Sequence, residues 1–233
     1  MAVEITYKNK ASNKNPHNLV LFVDENFNIS SLRKHISNSD YILISDLVKI
    51  RDEKKKLLSF DISSKKKIIL VSLKKNIGAS GIENLGACFY DQFKTNKINH
   101  FVLVSETISI KQKNLIGYFV HGLKLKSYTF EKYKTKKNKK NISVIITGKN
   151  QPSLKEQIKF RAIEKGTFYT RDLVSEPGNI LHPDEYAKRL NSLKKYGLKV
   201  SVYDEKKLKK LGMNTLLGVG QGSVRGSYLV TME

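Results

Sequence analysis

Five short runs rich in Val and Ile punctuate the first 150 residues: EITY (4–7), NLVLFV (18–23), KIILVSL (67–73), HFVLVS (100–105) and ISVIIT (142–147). Each is flanked by polar or turn residues, the pattern of a strand. Helical segments lie between them. In 82–95, Leu85, Phe89 and Phe93 recur four apart and mark one buried face. In 111–130, Leu115, Phe119 and Leu123 do the same, with Tyr118 beside them, and 31–36 predicts a shorter helix. A sheet buries its apolar surface only under another layer, so strands alternating with helices predict an α/β domain: a mixed sheet flanked by helices.

A long connecting helix follows. Ser153 and Glu156 form an S-x-x-E pair, in which hydroxyl and carboxylate each satisfy a free backbone N–H at a helix start. Leu154, Ile158 and Ala162 recur on one face while Phe160, Ile163 and Thr167 run beside them, which predicts a helix packed between layers. Glu176-Pro177-Gly178-Asn179 breaks it. Pro183 suits the first turn of the next helix, and Asp184 and Glu185 suit its positive end. Tyr186, Leu190 and Leu193 form its stripe, and Gly197 suits its C-terminal stop. LKVSVY (198–203) reads as a strand, Asp204 as the cap of a short helix ended by Gly212, and TLLGVG and SYLVTM as two further strands. The expected organisation is an N-terminal α/β domain over 1–150, a linker helix over 151–178, and the start of a second α/β domain over 179–233, with its sheet incomplete.

Composition narrows the function classes. No apolar run approaches the ~18 residues of a membrane-spanning helix. The start MAVEITYKNKASN has no apolar core of a secretory signal. The lone Cys88 forms no internal disulfide, so a reducing cytoplasm is the expected compartment. Its setting, LGACFY, predicts a core thiol. The net charge of +22 raises non-specific, salt-sensitive affinity for polyanions. Of the 43 basic residues, however, 37 are Lys and 6 are Arg. Bidentate recognition of phosphates and base edges favours Arg. The lysine patches Lys54–Lys56 and Lys132–Lys140 read as solvated loops, the second because Phe130 and Tyr133 precede it rather than interleave with it.

The residues show no complete catalytic constellation. GASG (78–81) and GQGSVRG (220–226) both miss the spacing of a hydrolase serine elbow. Gly218, Gly220 and Gly222 alternate, but Ser223 stands where a dinucleotide fingerprint needs Gly, so a tight connection between strands is expected. The five His, at 17, 35, 100, 121 and 182, are scattered. His182 with Asp184 and Glu185 is the one close group, and with Asp172 and Glu176 nearby it reads as helix-end chemistry rather than a metal cage.

Three segments carry a family resemblance. GLKLKSYTFEKYKTKK (122–137) is similar to a G-x-x-L-x-x-Y-x-F-x-x-Y-K-T stretch of the leucine aminopeptidase family. TRDLVSEPGNILHPDEYA (170–187) resembles its R-D-L-x-N-x-P-x-N-x-x-x-P signature, and LKKLGMNTLLGVGQGS (208–223) its L-x-x-x-G-M-x-x-x-L-x-V-G-x-G-S segment. Order and spacing agree, and the likeness weakens before residue 110. Ser175 replaces the common Asn and Gly218 the common Ala.

The resemblance implies a two-domain subunit with a C-terminal catalytic α/β domain, usually assembled as a hexamer. It implies removal of N-terminal residues, often Leu, from peptides by two divalent metals, Mn or Zn, that activate a bridging water. The family's metal ligands and catalytic Lys and Arg lie in motifs resembling V-G-K-G-x-T-F-D-S-G-G and N-T-D-A-E-G-R, and neither string occurs here. No catalytic, metal or cofactor-binding position is therefore assigned. The expectation is the N-terminal portion of a leucyl aminopeptidase-like metallopeptidase, itself inactive and binding no metal. The alternative is a basic nucleic-acid-binding or oligomerisation module.

Overall fold

The computed structural model describes residues 3–9, 18–95, 99–136 and 141–233. The chain divides into two compact units, Met1–Phe168 and Tyr169–Glu233.

In the first unit, β1 (Val3–Lys8), β2 (Asn18–Asp24), β3 (Leu57–Ser63), β4 (Lys66–Leu73), β5 (His100–Val104) and β6 (Ile142–Thr147) form one sheet in the order β1-β6-β5-β2-β4-β3. Neighbours are parallel except β3, which is antiparallel to β4. The mixed sheet expected from the alternation is present, with one strand the sequence reading passed over: β3, directly after the Lys54–Lys56 patch.

The interior strands read as continuous apolar runs because both faces are covered. Val20 and Phe22 of β2 and Ile69 and Val71 of β4 join one core with α2 (Ala79–Phe93) and α3 (Leu115–Lys126). Leu19, Leu21, Ile68 and Leu70 point the other way, into a second core with α1 (Asn38–Lys49). The stripe Leu85, Phe89, Phe93 and the stripe Leu115, Phe119, Leu123 are buried as expected. Their aromatic rings interlock edge-on: Phe89 lies 5.1 Å from Phe101 and 5.7 Å from Phe119 between centroids. Helices α2 and α3 pack at backbone distance. A Cβ on Gly86 would meet the Phe119 carbonyl oxygen at 1.9 Å, and one on Gly122 would meet that of Glu83 at 1.9 Å.

Two local readings change. The segment at 31–36 forms a 3-10 turn, Ser30–Lys34, and the true helix is α1, whose start is fixed by Ser37 Oγ accepting from the Asp40 N–H. The helix α4 (Leu154–Ser175) begins at the expected capping box: Glu156 N–H donates to Ser153 Oγ at 3.3 Å, and Ser153 N–H to Glu156 Oε2 at 2.9 Å. Neither predicted face is buried along its length in the first unit. Phe160 packs on Tyr118 at 5.3 Å between rings, whereas Leu154 and Ile158 remain 70% and 58% exposed, and Ile163 is exposed as well.

The second unit contains α5 (Pro183–Asn191), β7 (Val200–Tyr203), α6 (Glu205–Lys210), α7 (Asn214–Gly220) and β8 (Leu229–Met232). Its two strands pair with each other, antiparallel, from Val200 with Met232 to Tyr203 with Leu229. TLLGVG, expected as a strand, is α7. A strand needs a neighbour for its backbone groups, and β7 and β8 pair only with each other among the described strands. Residues 214–220 satisfy theirs locally instead, starting with Leu217 N–H to Met213 O at 3.2 Å.

Candidate functional site

The polar groups of the second unit gather around the start of α5. After α4, Pro177 turns the chain: its carbonyl accepts from the N–H groups of Ile180 and Leu181, both at 2.9 Å. His182 is the extended N-cap, Pro183 opens the helix, and Asp184 and Glu185 occupy its first turn, as the sequence predicts.

Arg189 organises the cluster. Its Nη1 donates to Glu176 Oε1 at 2.9 Å and its Nε to Glu185 Oε1 at 3.0 Å. The Tyr169 hydroxyl donates to the Arg189 carbonyl at 3.1 Å, so the arginine ties the end of α4 to α5. The Glu176 side chain is 1% exposed, and a carboxylate so buried needs this guanidinium. The Arg189 hydrogen bond holds the Glu185 carboxyl below its ordinary range, and Glu176 and Glu185 in turn raise the Arg189 pKa. The sequence reading singled out both glutamates but not Arg189. The signal was the Glu185–Arg189 spacing of four, which sets acid and base on one helix face.

Asp184 accepts from His182 Nδ1 and lies 3.5 Å from Arg225 Nη1. Burial pushes the Asp184 carboxyl up, but its own backbone N–H, His182 and Arg225 outweigh that and lower it. An open cleft of about 630 Å³ lies beside this cluster, lined by Asp184, Lys188, Asn191, Lys194, Tyr203 and Tyr228. Asp204 caps α6 by accepting from the Lys207 N–H at 3.0 Å, and Glu205 Oε1 accepts from the Ser227 N–H at 3.0 Å.

These carboxylates are committed to arginines, a histidine and backbone N–H groups, which suits them to holding the turn rather than binding a metal. Among the described residues no three His, Cys, Asp or Glu side chains converge. The described residues of this cluster do not form a cage for a pair of divalent metals. His35, His100, His121 and His182 lie on separate elements, and His17 falls outside the described residues.

The remaining motifs resolve into structure. Gly78 of GASG is the N-cap of α2. GQGSVRG joins the end of α7 to β8, so it connects a helix to a strand, and a strand stands where a dinucleotide loop needs a helix. Cys88, expected in the core, is exposed on the flank of α2; its neighbour Phe89 takes the buried position. Of the Lys132–Lys140 patch, residues 137–140 lie outside the described residues. No described helix is long and apolar enough to cross a membrane.

Comparison with known proteins locates this cluster in a family. The profile of the cytosol aminopeptidase family, catalytic domain, matches residues 168–233. A probable cytosol aminopeptidase of Phytoplasma australiense is 40% identical over 152 residues, which are 64% of this chain and 30% of that protein. One from Brucella melitensis is 43% identical over 120 residues, 48% of this chain and 24% of that protein. The chain thus spans less than a third of these relatives. Among solved structures, a tomato leucine aminopeptidase mutant superposes with a TM-score of 0.78 at 17% identity, over 99% of this chain and 50% of that one. The bottromycin maturation enzyme BotP, in complex with Mn, superposes with a TM-score of 0.67 at 16% identity, over 94% and 45%. At such identities the superpositions show a shared fold.

Proposed function

The chain belongs to the leucine aminopeptidase family, and from that premise we propose that it is the amino-terminal portion of a metallo-aminopeptidase that removes N-terminal residues from peptides. In this reading the first unit is the N-terminal α/β domain and α4 is the linker. The cluster around Arg189 is the entry to the catalytic domain. Two divalent ions, Mn or Zn, supply the activated water in the whole enzyme, a cytoplasmic oligomer of family type, usually a hexamer.

The 233 residues alone do not carry out this reaction. The observation that carries this is the absence from the sequence of the two family motifs that hold the metal ligands and the catalytic Lys and Arg. The Arg189 cluster acts instead as a positioning element, fixing the turn from α4 into α5. The charge of +22 does not call for a nucleic-acid function, since Arg supplies only 6 of the 43 basic residues.

The test is hydrolysis of a leucyl anilide by the purified chain with added Mn²⁺ or Zn²⁺. The expected result is no turnover above a chelator-treated control, and metal-dependent turnover overturns the reading. Native mass spectrometry of the same sample reports its assembly state.

A further inference from the structure

We propose that the outer edge of β3 is a docking site for an extended acidic peptide, which adds to the sheet as a seventh strand. The proposal is independent of the peptidase reading.

The first support is the free backbone. The Ser72 N–H donates to the Lys56 carbonyl at 2.9 Å, which sets the phase of the β3–β4 ladder. With Leu58 opposite Leu70 and Phe60 opposite Ile68, the backbone groups of Lys56, Leu58 and Phe60 face β4. Those of Leu57, Ser59 and Asp61 face outward. Strand β3 ends the sheet, and the outward groups of these three residues have no hydrogen-bond partner among the described residues. Sheets usually blunt such an edge with Lys, Pro or an early bulge. LLSFDIS has no Lys and no Pro, and its register shift comes only between Asp61 and Ser63. The stretch 57–60 is left regular and open.

The second support is a roof over the vacant strand position. Leu85, Cys88 and Gln92 lie at i, i+3 and i+7 on the flank of α2 that overhangs β3. With the β3 edge they line an open cleft of about 590 Å³. Cys88 is exposed at this cleft, on the same helix as the buried Leu85 and Phe89. A peptide strand in the cleft gains main-chain hydrogen bonds from β3 and side-chain contact from α2, the two components of strand addition.

The third support selects the occupant. Lys54, Lys55 and Lys56 line the same cleft, are exposed, and make no ion pair among the described residues. They favour a peptide with carboxylates at the end that meets them. A second copy of this chain is disfavoured. Parallel pairing across β3 sets Lys54–Lys56 against itself, and antiparallel pairing turns it towards Lys65 of the other copy, whose neighbours Lys66 and Lys67 are held by Asp40 and Asp61.

The probe is a fluorescein-labelled peptide, Glu-Glu-Glu-Val-Thr-Val-Thr, titrated with the full chain and read by anisotropy. Saturable binding is expected. N-methylation of alternate peptide amides, which leaves the protein untouched, should weaken it by about tenfold. Ser59→Pro removes one outward N–H without touching the β4 ladder and should weaken it as well. Reversing all three lysines to Glu should also weaken it by about tenfold at low salt. Equal affinity for the N-methylated peptide, or for a hexaglutamate of no strand propensity, overturns the proposal in favour of simple polycation binding. A concentration-dependent dimer abolished by Ser59→Pro overturns it in favour of self-pairing.

Discussion

His121 Nδ1 lies 3.4 Å from Glu164 Oε1 where α3 meets α4, with His121 5% and Glu164 6% exposed. Lys124 donates to the other carboxylate oxygen at 2.9 Å. The carboxylate is thus satisfied on both oxygens by groups one helical turn apart on α3. Phe160 closes the same contact: it lies 5.3 Å from the His121 ring and occupies the space where a Cβ on Gly117 would stand. Glu164→Ala leaves His121 and the Lys124 amine facing a buried gap. Loss of one partner of such a pair costs about 3 kcal/mol. Urea denaturation should show that loss in the first unit, while Glu164→Gln, which keeps a hydrogen-bonding oxygen, should lose less.

The reciprocal glycines of α2 and α3 make a sharper prediction. Gly86→Ala and Gly122→Ala each place a methyl within 1.9 Å of a backbone oxygen that cannot rotate away. Ala favours a helix over Gly in isolation, yet here the helices must separate to admit it. Each substitution should destabilise by about 2 kcal/mol, the usual cost of overpacking. Thermal melts that show stabilisation instead would mean that the helices separate without penalty.

How much of this was readable in the sequence depends on whether the signal was local. The five Val- and Ile-rich runs and the stripes of α2 and α3 were legible, since burial writes a period of two or 3.6 into the residues themselves. Strand β3 carries Leu58, Phe60 and Ile62 at alternate positions, a short signal directly after a lysine run that the residues alone leave unassigned. In α1 the run Ile42-Leu43-Ile44 spreads around the helix and leaves Ile42 63% exposed, so no clean stripe results. The segment 214–220 failed for another reason. A six-residue apolar run is helix or strand according to whether a partner strand exists, and that is a property of the fold. The Glu185 half of the Arg189 contact is a local i, i+4 pair, but the Glu176 half is not legible, because it depends on the turn at Pro177.

Cys88 gives a chemical test of its exposed position. A native-state thiol assay with Ellman's reagent should titrate one equivalent without denaturant, because Cys88 lies on the open flank of α2. A core thiol would react only after unfolding. Leu85→Glu is not a useful control, since Leu85 is 3% exposed and belongs to the core. Protection by the acidic peptide proposed for the β3 edge would link the two observations.

Tyr7 supplies a pH dependence. Burial, and then the negative charge of Glu164, push its pKa from 10.0 up to about 12, against the opposing charge of Arg161. The folded state therefore holds the phenolic proton more tightly than the unfolded chain does. The stability from this group is fully present below pH 10, and it is lost progressively as pH rises towards 12. Lysines also titrate in this range, so the wild-type curve alone does not isolate the effect. Tyr7→Phe keeps the ring against the core and removes the ionisation. The variant should lose less stability than wild type between pH 9.5 and 11.5, as measured by chemical denaturation at fixed ionic strength. Identical slopes for the two proteins would show that Tyr7 titrates alike in the folded and unfolded states, and that its place at the end of β1 is open to water.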